Sequence, residues 1–514
     1  MNNLPGEEMQ LADIVSSMRG NTSNWIAMHQ LGKTTTYTFD QVHSDIQKAM
    51  EFLRACGVQA GMRIGVLADN SYQWIVLDLA TLQSGCLLVG FPDAFARNDI
   101  DELAERFELA LLFVNKRPAT EGPAREWMCE LQELAGNSPE KRRIRNSIGN
   151  GAEPDDLTLH FSSGSSGTLK CLMGGRLGTQ AFIQGYWDLF PWLHSDAMLA
   201  FMPLSSYQQR LLVYSAIGFP HNLIFTSPGE LMLAFVQTKP TVFVGPPLFF
   251  ERLEKKFGSG NQGKTEINVS LRKFAPTIRF FITGMAPIRQ RTVEFFAGTE
   301  TPLYVVYSLN ESGTVTANTP DNFKPGTVGC RFPDTEINIA ADGEILVRKP
   351  HHLSLRYLYY DDQGLTYLPD AYVATGDLGH FDDDGFLHIV GRKKNVIITS
   401  SGLKLNPEQI ERKMEAWPEV GRAVVFGTDH PYLSAVVQYA APYNVEIEQR
   451  IWKQVQELNK EMGVACFIGT VAFTNDEFTV ENGFLTRNLK LDRQHIYTAF
   501  ESQLLAEGKT SARA

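Results

Sequence analysis

Several features that mark other protein classes are missing from this 514-residue sequence. No apolar run approaches the ~20 residues that a membrane-spanning helix needs. The opening residues, MNNLPGEEMQLADIV, lack the basic start and the apolar core of a secretory signal peptide. The sequence therefore predicts a protein with no transmembrane segment and a cytoplasmic location.

Cysteine and positive charge are also scarce. The six cysteines occur singly, without a CxxC pair or a histidine at ligand spacing, which argues against a disulfide scaffold or a zinc site and predicts reduced packing residues. The formal net charge of -11 opposes binding to a phosphate backbone, so nucleic acid is not expected as a partner. The cysteines are Cys56, Cys86, Cys129, Cys171, Cys330 and Cys466.

The length predicts two or more domains, and the hydrophobic pattern predicts the α/β class. A helical spacing from Tyr37 to Leu53, with Thr38 as N-cap, precedes the strand MRIGVLAD, and strands and helices then alternate as in layered parallel sheets. Short strands around Asp342 and Gly343 predict a small β-barrel-like unit in the large N-terminal domain. After Gly391, a β-branched run and a helix opened by Asn406-Pro407 predict a small α+β C-terminal domain.

One glycine pattern imitates a dinucleotide site. Gly258, Gly260 and Gly263 satisfy GxGxxG, which requires a preceding strand and a following helix. The preceding FFERLEKKF is charged and has a helical pattern. We interpret GSGNQGKTE, residues 258–266, as a surface loop.

A second glycine-rich stretch, FSSGSSGTLK, runs from Phe161 to Lys170. Glycines and hydroxyls ending in a lysine can surround phosphate groups, because backbone N–H groups converge there and the lysine adds charge. The spacing does not fit GxxxxGK followed by Ser or Thr, which excludes a Walker site. From composition alone, a surface loop and a phosphate loop both remain open, and the adjoining strand-like LTLHF favours the phosphate loop.

This stretch resembles the phosphate loop of the adenylate-forming acyl-CoA synthetases, usually Y/F-TSGTTGxPKG. Leu169 and Cys171 stand where that family usually has proline and glycine. The matching residues are Ser162, Ser163, Gly164, Ser165, Ser166, Gly167 and Lys170.

Two further segments resemble the family's adenine-binding motifs. FITGMAPI is similar to the GGAPL-type segment, and VVYSLNESG is similar to the YGxTE motif, with Ser308 and Asn310 replacing glycine and threonine. The resemblance implies that Tyr307 meets the adenine and that Glu311 binds magnesium. The GGAPL-type residues are Gly284, Met285 and Ala286.

The carboxy-terminal motifs follow in the family's order. ATGDLGHFDDDGFLHIVGRKKNVI resembles the TGDL…GR block, which implies that Asp377 holds the ribose, Arg392 approaches the ribose or phosphates, and Lys394 is the hinge. SSGLKLNPEQIE is similar to the next block and implies that Gly402 lies where pantetheine passes. FLTRNLKLDR resembles LTPTLKLKR, which gives Lys490 the role of the mobile catalytic lysine.

The resemblance implies an ATP-dependent ligase that forms an acyl-adenylate, releases pyrophosphate and then makes a thioester. Its cofactors would be ATP, Mg²⁺ and coenzyme A, and its catalytic residues Lys490, Glu311 and Lys170. The expected boundaries are 1–392 for the adenylation domain, 393–394 for the hinge and 395–514 for the mobile domain.

The substrate and the acceptor are less closely specified. Two segments resemble motifs of the long-chain fatty acyl ligases, namely FMPLSSYQQR and KPTVFVGPPLFFERL. In the first segment, Ser206 and Gln209 replace the usual histidine and glutamate. The following LLVYSAIGFPHNLIF has no carboxylate to pair with an ammonium group, which favours an uncharged acyl chain over an amino acid. A carrier-protein phosphopantetheine in place of free CoA and a non-catalytic member of the fold remain as alternatives.

Overall fold

We describe the fold from a computed structural model of the chain. It describes residues 9–116, 126–136, 144–145, 152–163, 169–258, 263–359, 367, 371–400, 402–463, 467–486 and 491–505.

The strands of the described residues are numbered in chain order. They are β1 Trp25–Gln30, β2 Lys33–Thr38, β3 Arg63–Leu67, β4 Leu87–Gly90, β5 Leu109–Val114, β6 Met128–Glu130, β7 Asp156–Ser163, β8 Leu169–Gly175, β9 Ala197–Ala200, β10 Asn222–Phe225, β11 Val242–Gly245, β12 Phe280–Thr283, β13 Leu303–Leu309, β14 Gly313–Ala317, β15 Cys330–Arg331, β16 Glu336–Ile339, β17 Glu344–Arg348, β18 Ser354–Leu358, β19 Val373–Phe381, β20 Leu387–Arg392, β21 Ile397–Ile398, β22 Lys404–Leu405, β23 Val420–Phe426, β24 Leu433–Tyr439 and β25 Ile468–Thr474.

The α-helices are numbered in the same way, and none that the structure describes is long and apolar enough to cross a membrane. They are α1 Ile14–Ser17, α2 Phe39–Ala55, α3 Tyr72–Gln83, α4 Ile100–Arg106, α5 Arg176–Leu189, α6 Tyr207–Gly218, α7 Leu231–Thr238, α8 Pro247–Gly258, α9 Lys264–Phe274, α10 Gln290–Ala297, α11 Pro407–Glu415, α12 Val445–Met462 and α13 Arg493–Leu504.

Two large sheets form the amino-terminal part of the chain. The first has the strand order β15-β14-β13-β12-β11-β9-β10-β1-β2 and is parallel from β13 to β1. The second has the order β18-β8-β7-β4-β3-β5-β6 and is parallel from β7 to β6. Helices α2, α3 and α6 contribute to a hydrophobic core shared with strands of both sheets, which confirms the predicted layered α/β class.

Two smaller units complete the fold. Strands β16, β17, β19 and β20 form an antiparallel sheet in which Gly343 makes the predicted turn with a φ of 87°. The last part packs α11, α12 and the sheet β23-β24-β25 around a core of its own. The predicted β unit and α+β domain are therefore present.

Local signals in the sequence placed several elements correctly. Thr38 caps α2 in a reciprocal arrangement with Gln41, because each side chain accepts from the other residue's backbone N–H. Pro407 opens α11 at its first position, after Asn406. The loop predicted at 258–266 is shorter, since α8 extends to Gly258 and α9 begins at Lys264, with residues 259–262 outside the described part.

The cysteines that the structure describes have free thiols, as predicted. Four of them are buried and one is half-buried, while Cys466 lies outside the described residues. The five are Cys56, Cys86, Cys129, Cys171 and Cys330.

A buried lysine lies behind the small sheet. The Lys349 ammonium donates to the Thr314 carbonyl at 2.6 Å and lies 5.1 Å from the centre of the Phe332 ring. The residue is 8% exposed, and burial lowers the pKa of Lys349 to about 7.

We expect Lys349 to make stability rise with pH. Between pH 7 and 10.5 the unfolded chain binds a proton at this lysine that the folded chain has lost, so the free energy of unfolding increases by up to about 1.4 kcal/mol per pH unit. In Lys349→Met, the urea midpoint should rise less steeply between pH 7 and 10 than in the wild type. In Lys453→Met, which changes an exposed lysine, the rise should equal that of the wild type. Equal slopes in wild type and Lys349→Met would contradict the shift.

Candidate active site

Three predicted nucleotide-binding residues form one cluster, in which Tyr307 and Asp377 are buried and Arg392 is exposed. The Tyr307 hydroxyl donates to one oxygen of Asp377 at 2.7 Å, and the Arg392 Nε donates to the other at 2.8 Å. Asp377 and Arg392 are register partners on β19 and β20, while Tyr307 comes from β13. Burial, followed by the Asp377 charge, raises the pKa of Tyr307 well above its usual value. Each carboxylate oxygen still has acceptor capacity for a further hydroxyl.

A second cluster surrounds Glu311. The Tyr357 hydroxyl donates to the Glu311 carboxylate at 2.6 Å, and the Lys170 ammonium lies 5.1 Å from the centre of the Tyr357 ring. Burial and the Glu311 charge raise the pKa of Tyr357, which therefore stays protonated as a donor. A carboxylate and an ammonium group thus both lie beside one tyrosine.

The two clusters are joined by a short piece of chain. Tyr307 lies near the end of β13, and Glu311 follows in the turn between β13 and β14. The Ser354 N–H donates to the Glu311 carbonyl at 2.8 Å, which fixes that turn against β18. A ligand lying along this turn would meet the Asp377 cluster at one end and the Glu311 cluster at the other.

The strands on either side of the predicted phosphate loop explain its two unusual residues. Ser162 pairs with Lys170 and Ser163 with Leu169 across the β7–β8 hairpin. The four residues 164–167 of the predicted phosphate loop lie outside the described part of the chain. Cys171 is 4% exposed in an aromatic core, and Leu169 packs against the same core. Because side chains alternate along a strand, Lys170 points the other way. The departures at 169 and 171 therefore change the core-facing side of β8.

The predicted adenine segment follows β12. Met285 has a φ of 72°, a left-handed conformation that costs a non-glycine residue roughly 1–3 kcal/mol and is typical of functional loops. A Cβ at Gly284 would lie 3.0 Å from the Val306 carbonyl oxygen, so only glycine fits this close approach. The neighbouring Ser308 hydroxyl is hydrogen-bonded to Thr314 at 2.9 Å.

The carboxy-terminal part contacts this segment. Leu485 lines a small cavity together with Met285 and Ala286, and it pairs with Leu491 in a β-bridge. Lys490 itself lies outside the described residues. The Arg422 guanidinium donates to the buried Glu251 carboxylate at 2.8 Å across the same contact.

The predicted hinge and pantetheine-tunnel residues lie in two short turns. Lys394 is exposed, next to Lys393, whose ammonium lies 2.7 Å from both Asp342 and Glu344. Gly402 has a φ of 81°, and no described atom lies within 4 Å of the position that a Cβ would take there. The Gly402 turn is therefore open, and the hinge role of Lys394 stays a prediction.

The sequence resembles known proteins along most of its length. Residues 17–358 match the family of AMP-binding enzymes, and residues 394–504 match the AMP-binding enzyme C-terminal domain. The chain belongs to the AMP-binding enzyme family. A relative, the long-chain-fatty-acid–CoA ligase FadD15 of Mycobacterium tuberculosis, is 25% identical over 98% of this chain and 97% of its own length.

Solved structures of similar fold align with most of this AMP-binding enzyme. ATP-bound MatB from Rhodopseudomonas palustris aligns with a TM-score of 0.76 and 20% identity over 96% of this chain and 99% of MatB. The o-succinylbenzoate CoA synthetase MenE from Bacillus subtilis, in complex with its acyl-adenylate intermediate, aligns with a TM-score of 0.72 and 18% identity. The alignment covers 94% of this chain and 97% of MenE. The predicted family and fold class are confirmed.

The oxygen ligands of this AMP-binding enzyme suit magnesium. No group of three or more His, Cys, Asp or Glu residues in the described part of the chain could hold a metal ion. Magnesium is usually held by one or two carboxylates together with substrate phosphates, and Glu311 beside the phosphate-loop hairpin offers such a carboxylate. Glu311 therefore fits the predicted magnesium ligand.

Reasoning from the sequence of this AMP-binding enzyme missed three residues at the site. Tyr357 lies in SLRYLYY, which carries no motif, and reaches Glu311 only because β18 pairs with β8. Arg422 and Glu251 are 171 residues apart and meet only when the carboxy-terminal part docks. No sequence signal connects these partners.

Proposed function

We propose that this chain is an ATP-dependent acyl-CoA ligase that activates a carboxylic acid as its acyl-adenylate and transfers the acyl group to a thiol. The observation that carries the proposal is the pair of clusters joined by the β13–β14 turn, Tyr307–Asp377–Arg392 and Glu311–Tyr357–Lys170. The first suits the nucleoside of ATP, and the second suits its phosphates with Mg²⁺.

The first reaction forms the acyl-adenylate. An oxygen of the substrate carboxylate attacks the α-phosphorus of ATP, the new P–O bond forms, and the bond to pyrophosphate breaks. Two anions must approach each other, so positive charge and N–H donors around the phosphates lower the barrier. Lys170, the loop at 162–170 and Lys490 supply them, and Mg²⁺ bound at Glu311 would neutralise phosphate charge.

The second reaction needs different surroundings. The thiol sulfur attacks the acyl carbonyl carbon, and AMP leaves with the electrons of the broken C–O bond. Pyrophosphate must depart and a long pantetheine must enter, which rotation of the carboxy-terminal domain about Lys394 would allow. That rotation would withdraw Lys490 and present the open turn at Gly402. The contact between Glu251 and Arg422 would break during the change.

The substrate is a carboxylic acid whose acyl chain carries no charge. The cavity beside Met285 is lined mainly by apolar side chains, and the charged residue in its lining is Arg422, which cannot pair with an ammonium group. An amino acid would leave its ammonium group without a carboxylate there. The apolar lining therefore favours a hydrocarbon chain.

ATP–pyrophosphate exchange with a panel of carboxylic acids tests the proposal. We expect exchange that depends on an acyl acid, and thioester formation when CoA follows. An acyl carrier protein bearing phosphopantetheine is the second acceptor to compare, because its thiol chemistry is the same. No exchange with any acid would identify a non-catalytic member of the family.

Glu311→Gln should raise the Mg²⁺ concentration that gives half-maximal exchange by at least about tenfold, because an amide oxygen binds a hard cation less well than a carboxylate. Glu336→Gln is the matched control, since Glu336 also accepts a hydrogen bond from a tyrosine, Tyr372, away from the site. An unchanged Mg²⁺ dependence in Glu311→Gln would contradict the metal-ligand role.

A further inference from the structure

The turn that carries Glu311 is held by one buried residue at the start of β18. The Ser354 hydroxyl donates to the Asn310 carbonyl at 2.7 Å. The Ser354 N–H donates to the next carbonyl, that of Glu311, at 2.8 Å. Ser354 has no exposed surface. Two consecutive carbonyls of the turn are therefore fixed by a single residue, and the Glu311 side chain starts from a fixed backbone.

The same hydroxyl also accepts a hydrogen bond from a histidine. The His160 Nε2 lies 3.0 Å from the Ser354 hydroxyl oxygen. A serine hydroxyl has a single proton, and Ser354 directs it to the Asn310 carbonyl, so the His160 Nε2 carries the proton of this second bond. Burial lowers the pKa of His160 to about 3, which keeps the ring neutral near pH 7. The ring is stacked on that of Tyr207 with 4.7 Å between the centres.

His160 belongs to the strand that leads into the predicted phosphate loop. It lies on β7 two residues before Ser162, which pairs with Lys170 across the hairpin. Because side chains alternate along a strand, His160 and Ser162 lie on the same face of β7. Two hydrogen bonds in series therefore connect the phosphate-loop hairpin, through the Ser354 hydroxyl, to the turn of Glu311.

The Glu311 carboxylate is held by the same strand. Tyr357, three residues after Ser354 on β18, donates its hydroxyl to this carboxylate at 2.6 Å. Strand β18 thus fixes Glu311 at two points, its carbonyl and its carboxylate. Partners that orient a metal ligand matter for the metal, and their loss typically lowers metal affinity by about 10–100-fold. Since Ser354 is buried, it would act through Glu311 and not by touching a ligand.

We propose that Ser354 and His160 are positioning residues that hold Glu311 in place beside the phosphate-loop hairpin, so that Mg²⁺ and the phosphates of ATP bind together. The inference rests on the proposed function and deepens it, because it names the residues that set the place of the metal ligand. Neither residue belongs to the motifs that the sequence shares with the family.

The test measures how much Mg²⁺ strengthens the binding of the α,β-methylene analogue of ATP, in which the bond that would break is replaced. Titration calorimetry gives the Kd without Mg²⁺ divided by the Kd with Mg²⁺, a ratio that does not depend on the fraction of folded protein. Ser354→Ala and His160→Leu should each lower this ratio by about tenfold. His160→Gln should keep most of it, because the amide N–H can donate in place of the ring.

Two further variants separate positioning from a general loss of structure. Thr226→Ala is the matched control, since Thr226 is 1% exposed and its hydroxyl donates to the His29 carbonyl at 3.0 Å, and its ratio should equal that of the wild type. Ser354→Ala combined with His160→Leu should lower the ratio no further than Ser354→Ala alone, because residues that act as one unit are not additive.

The possible failures point to different proposals. Wild-type ratios in Ser354→Ala and His160→Leu, or an equal loss in Thr226→Ala, would overturn the positioning role while the effect of Glu311→Gln still decides the metal ligand. A ratio of one in the wild type would overturn both. Acid-dependent exchange by the wild type is measured separately, and its absence would overturn the ligase function.

Discussion

Lys490→Ala is expected to lower acid-dependent ATP–pyrophosphate exchange by roughly 10²–10³-fold, the loss found when one preorganised donor is removed from a developing anion. Leu491, the residue that follows in the chain, pairs with Leu485, which lines the cavity beside Met285. The lysine would stabilise negative charge while pyrophosphate is expelled. Transfer of the acyl group from added acyl-adenylate to CoA should be almost unchanged, since that step follows the withdrawal of Lys490.

The comparison of the two half-reactions makes this prediction specific. Lys453→Ala removes an exposed lysine of the same domain and should leave both rates unchanged. A misfolded domain would lower both half-reactions, and so would a lysine needed only for substrate binding. Equal losses in exchange and in thioester formation would therefore contradict the assigned role.

Local signals predicted much of the fold because they act within one element. The cap at Thr38 and the helical spacing after it located α2, and Pro407 located the start of α11. The turn at Gly343 requires a left-handed backbone, which the sequence Asp342-Gly343 favours. Each of these features depends on residues a few positions apart.

Contacts between distant segments could not be predicted in this way. Glu251 lies in a helix of charged sequence, yet it is 5% exposed, and its carboxylate pairs with Arg422 of the docked carboxy-terminal domain. The position of Tyr357 beside Glu311 depends on the pairing of β18 with β8, which the sequence does not indicate. By contrast, the core-facing direction of Leu169 and Cys171 follows from the two-residue period of a strand, so the sequence held that information.

Arg210→Met is expected to destabilise the large domain by about 3–5 kcal/mol, because it leaves the Asp78 carboxylate buried without its partner. Two nitrogens of Arg210 donate to Asp78 at 2.6 and 3.0 Å, and both residues are 2% exposed. A third donates to Thr158 at 2.5 Å, on the strand that leads to the phosphate loop. The urea midpoint can be followed by tryptophan fluorescence, since Trp74 lies 5.8 Å from the guanidinium.

Two controls separate the buried charge from ordinary packing. Lys48→Met removes an exposed ion pair with Asp45 and should change stability by less than about 1 kcal/mol. Replacing the whole polar group, as Asp78→Leu with Arg210→Met and Tyr214→Phe, should recover most of the loss, because a buried ion pair often adds little over apolar residues of similar volume. If the triple variant is no more stable than Arg210→Met alone, the loss comes from packing around the guanidinium and not from the unpaired carboxylate.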